Sequence, residues 1–105
     1  MSRERLRNRR RSETFTLELQ GLHYVASFSR FDDGRVAEVF LQDRKPASQS
    51  DANARDSAIA ASLALQYGCP LDVLRRALLR DAHGNASTPL GAALDVIAAA
   101  EEQRR

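Results

Sequence analysis

From Glu13 to Gln20 the chain alternates strictly, with Phe15, Leu17 and Leu19 on one side and Thr14, Thr16, Glu18 and Gln20 on the other. A period of two with one wet face predicts a β-strand. Gly21 marks a tight connection. Leu22 to Phe31 predicts a second strand, with Leu22, Tyr24, Ala26 and Phe28 in phase and Val25 and Phe31 on the opposite side. Asp32-Asp33-Gly34-Arg35 then reads as a hairpin turn, because Asp-Gly accommodates the positive φ angles that tight turns require. Val36 to Gln42 predicts a third strand with apolar residues on both faces: Ala37, Val39 and Leu41 against Val36 and Phe40. The pattern leaves open which face is covered.

After Lys45 the period changes from two to that of a helix. Ser48-Gln-Ser-Asp51 matches a capping box, with Ser48 as N-cap and Asp51 expected to return to its amide. Ala54, Ala58, Ala61 and Leu65, flanked by Ile59 and Leu63, form an apolar stripe whose many alanines imply close approach to a neighbour. Asp51 and Arg55 are spaced as a favourable i,i+4 pair, and Gly68 is the expected stop. Cys69-Pro70 opens a second helix to about Asp81, with Leu71, Leu74, Ala77 and Leu78 inward and Arg75, Arg76 and Arg80 outward. A loop from His83 to Thr88 precedes a third helix from about Pro89, with Leu90, Ala93, Leu94 and Ile97 inward and a charged end at Glu101 to Arg105. The reading is an α+β fold: a three-stranded antiparallel meander followed by three helices packed on one of its faces, in the order βββααα.

The 105 residues fit one domain, expected to span 13–105. The net charge of +2 conceals an asymmetry. Residues 1–12 carry Arg3, Arg5, Arg7, Arg9, Arg10 and Arg11 against Glu4, a balance of +5. Residues 13–105 hold ten basic and thirteen acidic residues, a balance of −3. With Leu6 as the one large apolar residue beyond the first methionine, the segment 1–12 is expected to be a disordered basic tail. Its six arginines are candidate contacts for nucleic acid or another polyanion. A solubilising tail is the plainer alternative.

Candidate chemistry is sparse. The single Cys69 allows no intramolecular disulfide. With His23 and His83 it lacks the spacing of a metal site, so neither metal nor cofactor is expected. No nucleophile sits in a motif with a base, and Asp32-Asp33 and Glu101-Glu102 read as solvated carboxylates, so an enzyme is not expected. Lys45, Ser48 and Ser50 at the start of the first helix form a candidate anion or ligand site. The same residues also serve simple capping, and Asp51 would compete with an incoming anion.

Taken together, Gly21-Leu-His-Tyr24, Phe31-Asp-Asp-Gly-Arg-Val-Ala-Glu-Val-Phe40, the polar loop from Lys45 and the helix carrying Ser62-Leu-Ala-Leu65 before Gly68 resemble the TSCPD domain. The resemblance covers about residues 13–80, and Pro89-Leu-Gly-Ala-Ala-Leu-Asp95 looks like the free-standing form. That domain occurs at the C-terminus of adenosylcobalamin-dependent ribonucleotide reductases and as short separate proteins. The resemblance implies an accessory module, in some members supposed to bind metal through cysteines. Here Cys69-Pro70 is the nearest remnant of the five-residue signature and is followed by Leu71, so the metal role is not carried over. Nor is reductase activity, whose radical chemistry belongs to a barrel domain that this sequence does not contain.

The expectation for function is therefore a small, non-catalytic binding domain linked to ribonucleotide reductase, acting by protein–protein contact or as a homodimer. Val25, Phe31, Val36 and Phe40 on the second sheet face are its candidate interface. The alternative is polyanion binding through the arginine segment. No apolar run reaches the length of a membrane span and no apolar stretch of signal-peptide type follows the basic residues, so the expected location is cytoplasmic with no membrane partner.

Overall fold

The computed structural model describes residues 2–45 and 48–103. Met1, Pro46 and Ala47 of the polar loop, and the last two arginines of the expected charged C-terminal end lie outside the described residues. Three strands, β1 (Ser12–Leu19), β2 (Leu22–Arg30) and β3 (Val36–Asp43), precede three helices, α1 (Gln49–Gln66), α2 (Leu71–Ala77) and α3 (Pro89–Gln103). The strands form an antiparallel sheet in the order β1-β2-β3, which is the expected α+β arrangement.

The connections follow from local chemistry. Gln20 and Gly21, at φ 52° and 81°, make a two-residue turn that closes Leu19 against Leu22, matching the twist of the flanking strands. The register slips by a β-bulge at Ser29/Arg30. The slip leaves Ala37 of β3 without a partner on β2 and returns Val36 to the core side, where it is 7% exposed. Ser48 caps α1 as its sequence predicts, accepting the Asp51 amide at 3.0 Å. The reciprocal half of the capping box is absent: Asp51 instead accepts the Asp43 amide at 3.0 Å and the Arg55 guanidinium at 2.9 Å. Gly68, at φ 103°, donates back to the Leu65 carbonyl and ends the helix.

The third strand's ambiguity is resolved in favour of the odd residues. Val39 and Leu41 face the helices with Tyr24, Ala26 and Phe28, and α3 contributes Leu90, Ala93, Leu94 and Ile97 to the same core. Phe15 completes this layer edge-on to Phe28, with ring centroids 6.2 Å apart. α1 departs from a simple stack on that face: its alanine stripe lies along β3, so the helix axis comes close enough to close the strand's outer edge.

α2 is shorter than the sequence suggests. It stops at Ala77, because Arg80 and Ala86 form an isolated bridge and the Asp81 amide donates to the Asn85 carbonyl. Arg75 and Arg80, expected to face outward, both turn to Asp95 on α3, at 3.2 and 2.7 Å. Arg80 first and then Arg75 hold the Asp95 carboxyl below the usual carboxylate range. Ala77, expected inward, is exposed.

Candidate functional site

The site begins at the outer edge of β3. The Ser62 hydroxyl accepts the Val39 amide at 2.9 Å and donates to the Val39 carbonyl at 3.0 Å. Gln66 donates to the Ala37 carbonyl at 3.2 Å, and Asp51 takes the Asp43 amide. One helix thus supplies the partners that a neighbouring strand would otherwise provide. Ala54, Ala58 and Ala61 between them are almost completely buried.

Beyond this seam the even-numbered residues of β1 and β3 and the odd-numbered residues of β2 form a second face that no helix covers. A cavity of about 730 Å³ opens there, floored by Thr14, Val25, Ser27 and Phe40 and walled by Ile59 and Leu63 of α1. Phe40 is 51% exposed and Ile59 59%. Sequence reasoning placed Phe40 and Val25 here but missed the α1 wall. The signal was available, since Ile59 and Leu63 flank the alanine stripe instead of belonging to it. Phe31 and Val36 do not join this surface. Both are buried at 7% exposure and line a small space against Leu65, Gly68 and Pro70 at the end of α1.

The far end of the open face is closed by the N-terminal segment. Glu38, buried on this second face, accepts the Ser29 hydroxyl at 2.6 Å and the Arg10 guanidinium. Arg3 donates to Gln66, Glu4 pairs with Arg35, and Arg7 pairs with Asp32 at 3.0 Å. The structure draws residues 3–10 against the body. Half of the six candidate nucleic-acid contacts, Arg3, Arg7 and Arg10, are engaged by it. No hydrogen bond or ion pair from the side chains of Arg5, Arg9 or Arg11 is found among the described residues. Arg9 and Arg11 line a second cavity of about 970 Å³ with Arg7, Arg10, Arg30, Glu13 and Asp32.

The candidate anion site is internally occupied. Asp43 sits at the start of α1, accepting the Lys45 amide at 2.9 Å. That amide first, then the Ser50 and Ser48 hydroxyls, hold its carboxyl below the usual range. Ser50 also shares a 2.8 Å hydrogen bond with the Tyr24 hydroxyl. The donors that would hold an external anion are thus engaged within the chain: the Lys45 amide with Asp43, the Ser48 hydroxyl with the Lys45 carbonyl at 3.0 Å, and Ser50 with Tyr24.

A cysteine-held metal does not fit: among the described residues no three His, Cys, Asp or Glu side chains group together. Cys69 directs its thiol at the Pro70 carbonyl, 3.6 Å away. His83 lies in the turn organised by Asp81, and His23 is exposed on β2. No helix among the described residues is long and apolar enough to cross a membrane.

The chain is similar to two vitamin B12-dependent ribonucleotide reductases. It is 39% identical over 70 residues to that of Agrobacterium fabrum and 36% over 70 residues to that of Bradyrhizobium diazoefficiens. The match takes in 67% of this chain and 6% of each reductase. The chain thus shares ancestry with a short stretch of these large enzymes. No family model and no solved structure matches it.

Proposed function

We propose that the chain is a non-catalytic protein-binding module of the TSCPD type, consisting of residues 13–105 with an N-terminal strap, and that it serves a ribonucleotide reductase. The observation that carries the binding role is the open sheet face with its groove. Phe40, Val25, Ile59 and Leu63 gather apolar surface around one concavity, and such a patch commonly marks a protein contact. The reductase link rests on the two relatives, whose matched stretch is too short to contain a whole enzyme. The non-catalytic reading is supported by the dispersal of its histidines and by acidic groups already engaged with arginines and amides. A cytoplasmic location accompanies a reductase partner.

The test is direct binding of the full chain to the purified Agrobacterium fabrum reductase. Association that weakens at least tenfold with Phe40→Ser supports both the partner and the groove. Absence of association refutes the reductase link, and association indifferent to Phe40→Ser refutes the groove.

A second reading, polyanion binding, is favoured by the arginine-lined cavity. With Arg3, Arg7 and Arg10 already paired, three arginines remain, so the salt slope on duplex DNA should be about −3 instead of the −5 that six would give. Binding indifferent to salt removes this reading.

A further inference from the structure

We infer that β1 is a self-association edge, and that two copies of this chain join through antiparallel β1–β1 pairing into one six-stranded sheet. The inference is independent of the partner proposed for the groove.

The direction of each backbone group on β1 follows from the ladder. Val39 gives both its amide and its carbonyl to Ser62, so it points away from β2. Its cross-strand neighbour Phe28 then points to β1, where it meets Glu13. Because the period is two, the odd residues of β1 bond β2, and Ser12, Thr14, Thr16 and Glu18 present their amides and carbonyls outward. Among the described residues these outward groups have no partner in the chain. The edge is eight residues long and carries no lysine, proline or bulge, the usual guards against strand addition. The arginine segment turns away from it toward Glu38 and Gln66, and so leaves it open.

A second copy suits this edge better than an unrelated peptide, because the strand is complementary to itself. With a two-fold axis at Phe15, Thr14 meets Thr16 of the mate and Ser12 meets Glu18, so all four outward residues find outward partners. No like charges stand opposite each other in this register, since Glu13 faces Leu17 and Glu18 faces Ser12. Phe15, half-buried and already edge-on to Phe28, meets its own counterpart on the axis at a non-hydrogen-bonded position, where side chains approach most closely. An isologous two-fold contact is also the commonest closed assembly. One strand pair is a narrow contact, so micromolar association is the scale to examine.

The experiment is sedimentation equilibrium of the full chain across micromolar concentrations. The expected species has twice the 11.7 kDa mass of one chain. Thr16→Pro removes an outward amide that bonds nothing within the chain, and should raise the dimer dissociation constant by about a hundredfold or more. Thr14→Lys places a guarding charge on the edge and should also return the monomer; it keeps the test valid if the proline variant does not fold. Circular dichroism confirms that each variant retains its structure. Phe40→Ser, which removes the groove's aromatic ring, should leave the dimer intact, so loss of the partner and loss of the dimer remain distinguishable. A strictly monomeric wild type overturns the inference. So does a dimer that survives Thr16→Pro and Thr14→Lys, above all if Phe40→Ser dissociates it.

Discussion

The two edges of this sheet meet the same problem in opposite ways. At β3 the unpaired backbone is closed from within: Asp51, Ser62 and Gln66 of α1 bond Asp43, Val39 and Ala37, and small alanines bring the helix near enough to do so. At β1 the same kind of backbone is left facing out, with threonines and a glutamate along it. The difference shows that a sheet edge can be satisfied by side chains as well as by another strand, provided the helix carries residues small enough to approach. The closed edge makes the core stable, and the open one is available for association.

The largest test of this contrast lies on the closed side. Ala61→Leu forces added volume between α1 and β3, and should cost about 2–3 kcal/mol in urea unfolding. A loss under about 0.5 kcal/mol would mean that the alanine stripe is not the reason for the close approach. Ser62→Ala removes one side chain but strands two backbone groups at Val39, and should cost about 1–2 kcal/mol. Ser62→Thr, which keeps the hydroxyl, should recover part of that loss. On the open side Thr16→Ala should move monomer stability by less than about 0.5 kcal/mol, since its backbone and side chain face solvent.

The acid limb of stability sharpens the contrast at the end of β3. Asp43 is held below its ordinary pKa by the Lys45 amide and by Ser50 and Ser48. A depressed folded pKa gives stabilisation that is present above the unfolded carboxylate value of about 4, and that is lost as pH falls through the folded value. Denaturation midpoints should therefore fall below about pH 4, and Asp43→Asn should flatten that fall. Asp95, lowered by Arg80 and Arg75, contributes to the same limb from the α2–α3 side, so Asp43→Asn should remove only part of the slope.

Much of this was legible in the sequence. Period-two alternation located β1 and β2, and the capping serine, the alanine stripe and Gly68 bounded α1. What the sequence did not disclose depends on geometry across elements. Nothing local in Arg75 or Arg80 says that both turn to Asp95, since exposed helical arginines look the same. Phe31 and Val36 read as a second face because strict alternation carried them there; the bulge opposite Ser29/Arg30 shifted the phase of Val36, and Phe31, beyond the end of β2, packs with Arg35 and the end of α1. Glu38 was visible as an acid inside an apolar run. Its partner Arg10 lay in a segment whose composition argued for disorder, and the bonds that hold that segment are with residues up to 63 positions away.

The order in which the chain is made gives the closed edge one more meaning. The seam between β3 and α1 joins residues only 8 to 29 positions apart, so it forms from neighbours on a growing polypeptide without waiting for the C-terminal third. Short-range contacts of this kind are the quick ones to assemble, and an unshielded strand on an incomplete chain is where misassembly starts. The helix that follows β3 would then shield the strand's own outer edge once Gln66 has emerged, before Leu90, Leu94 and Ile97 are free to finish the core.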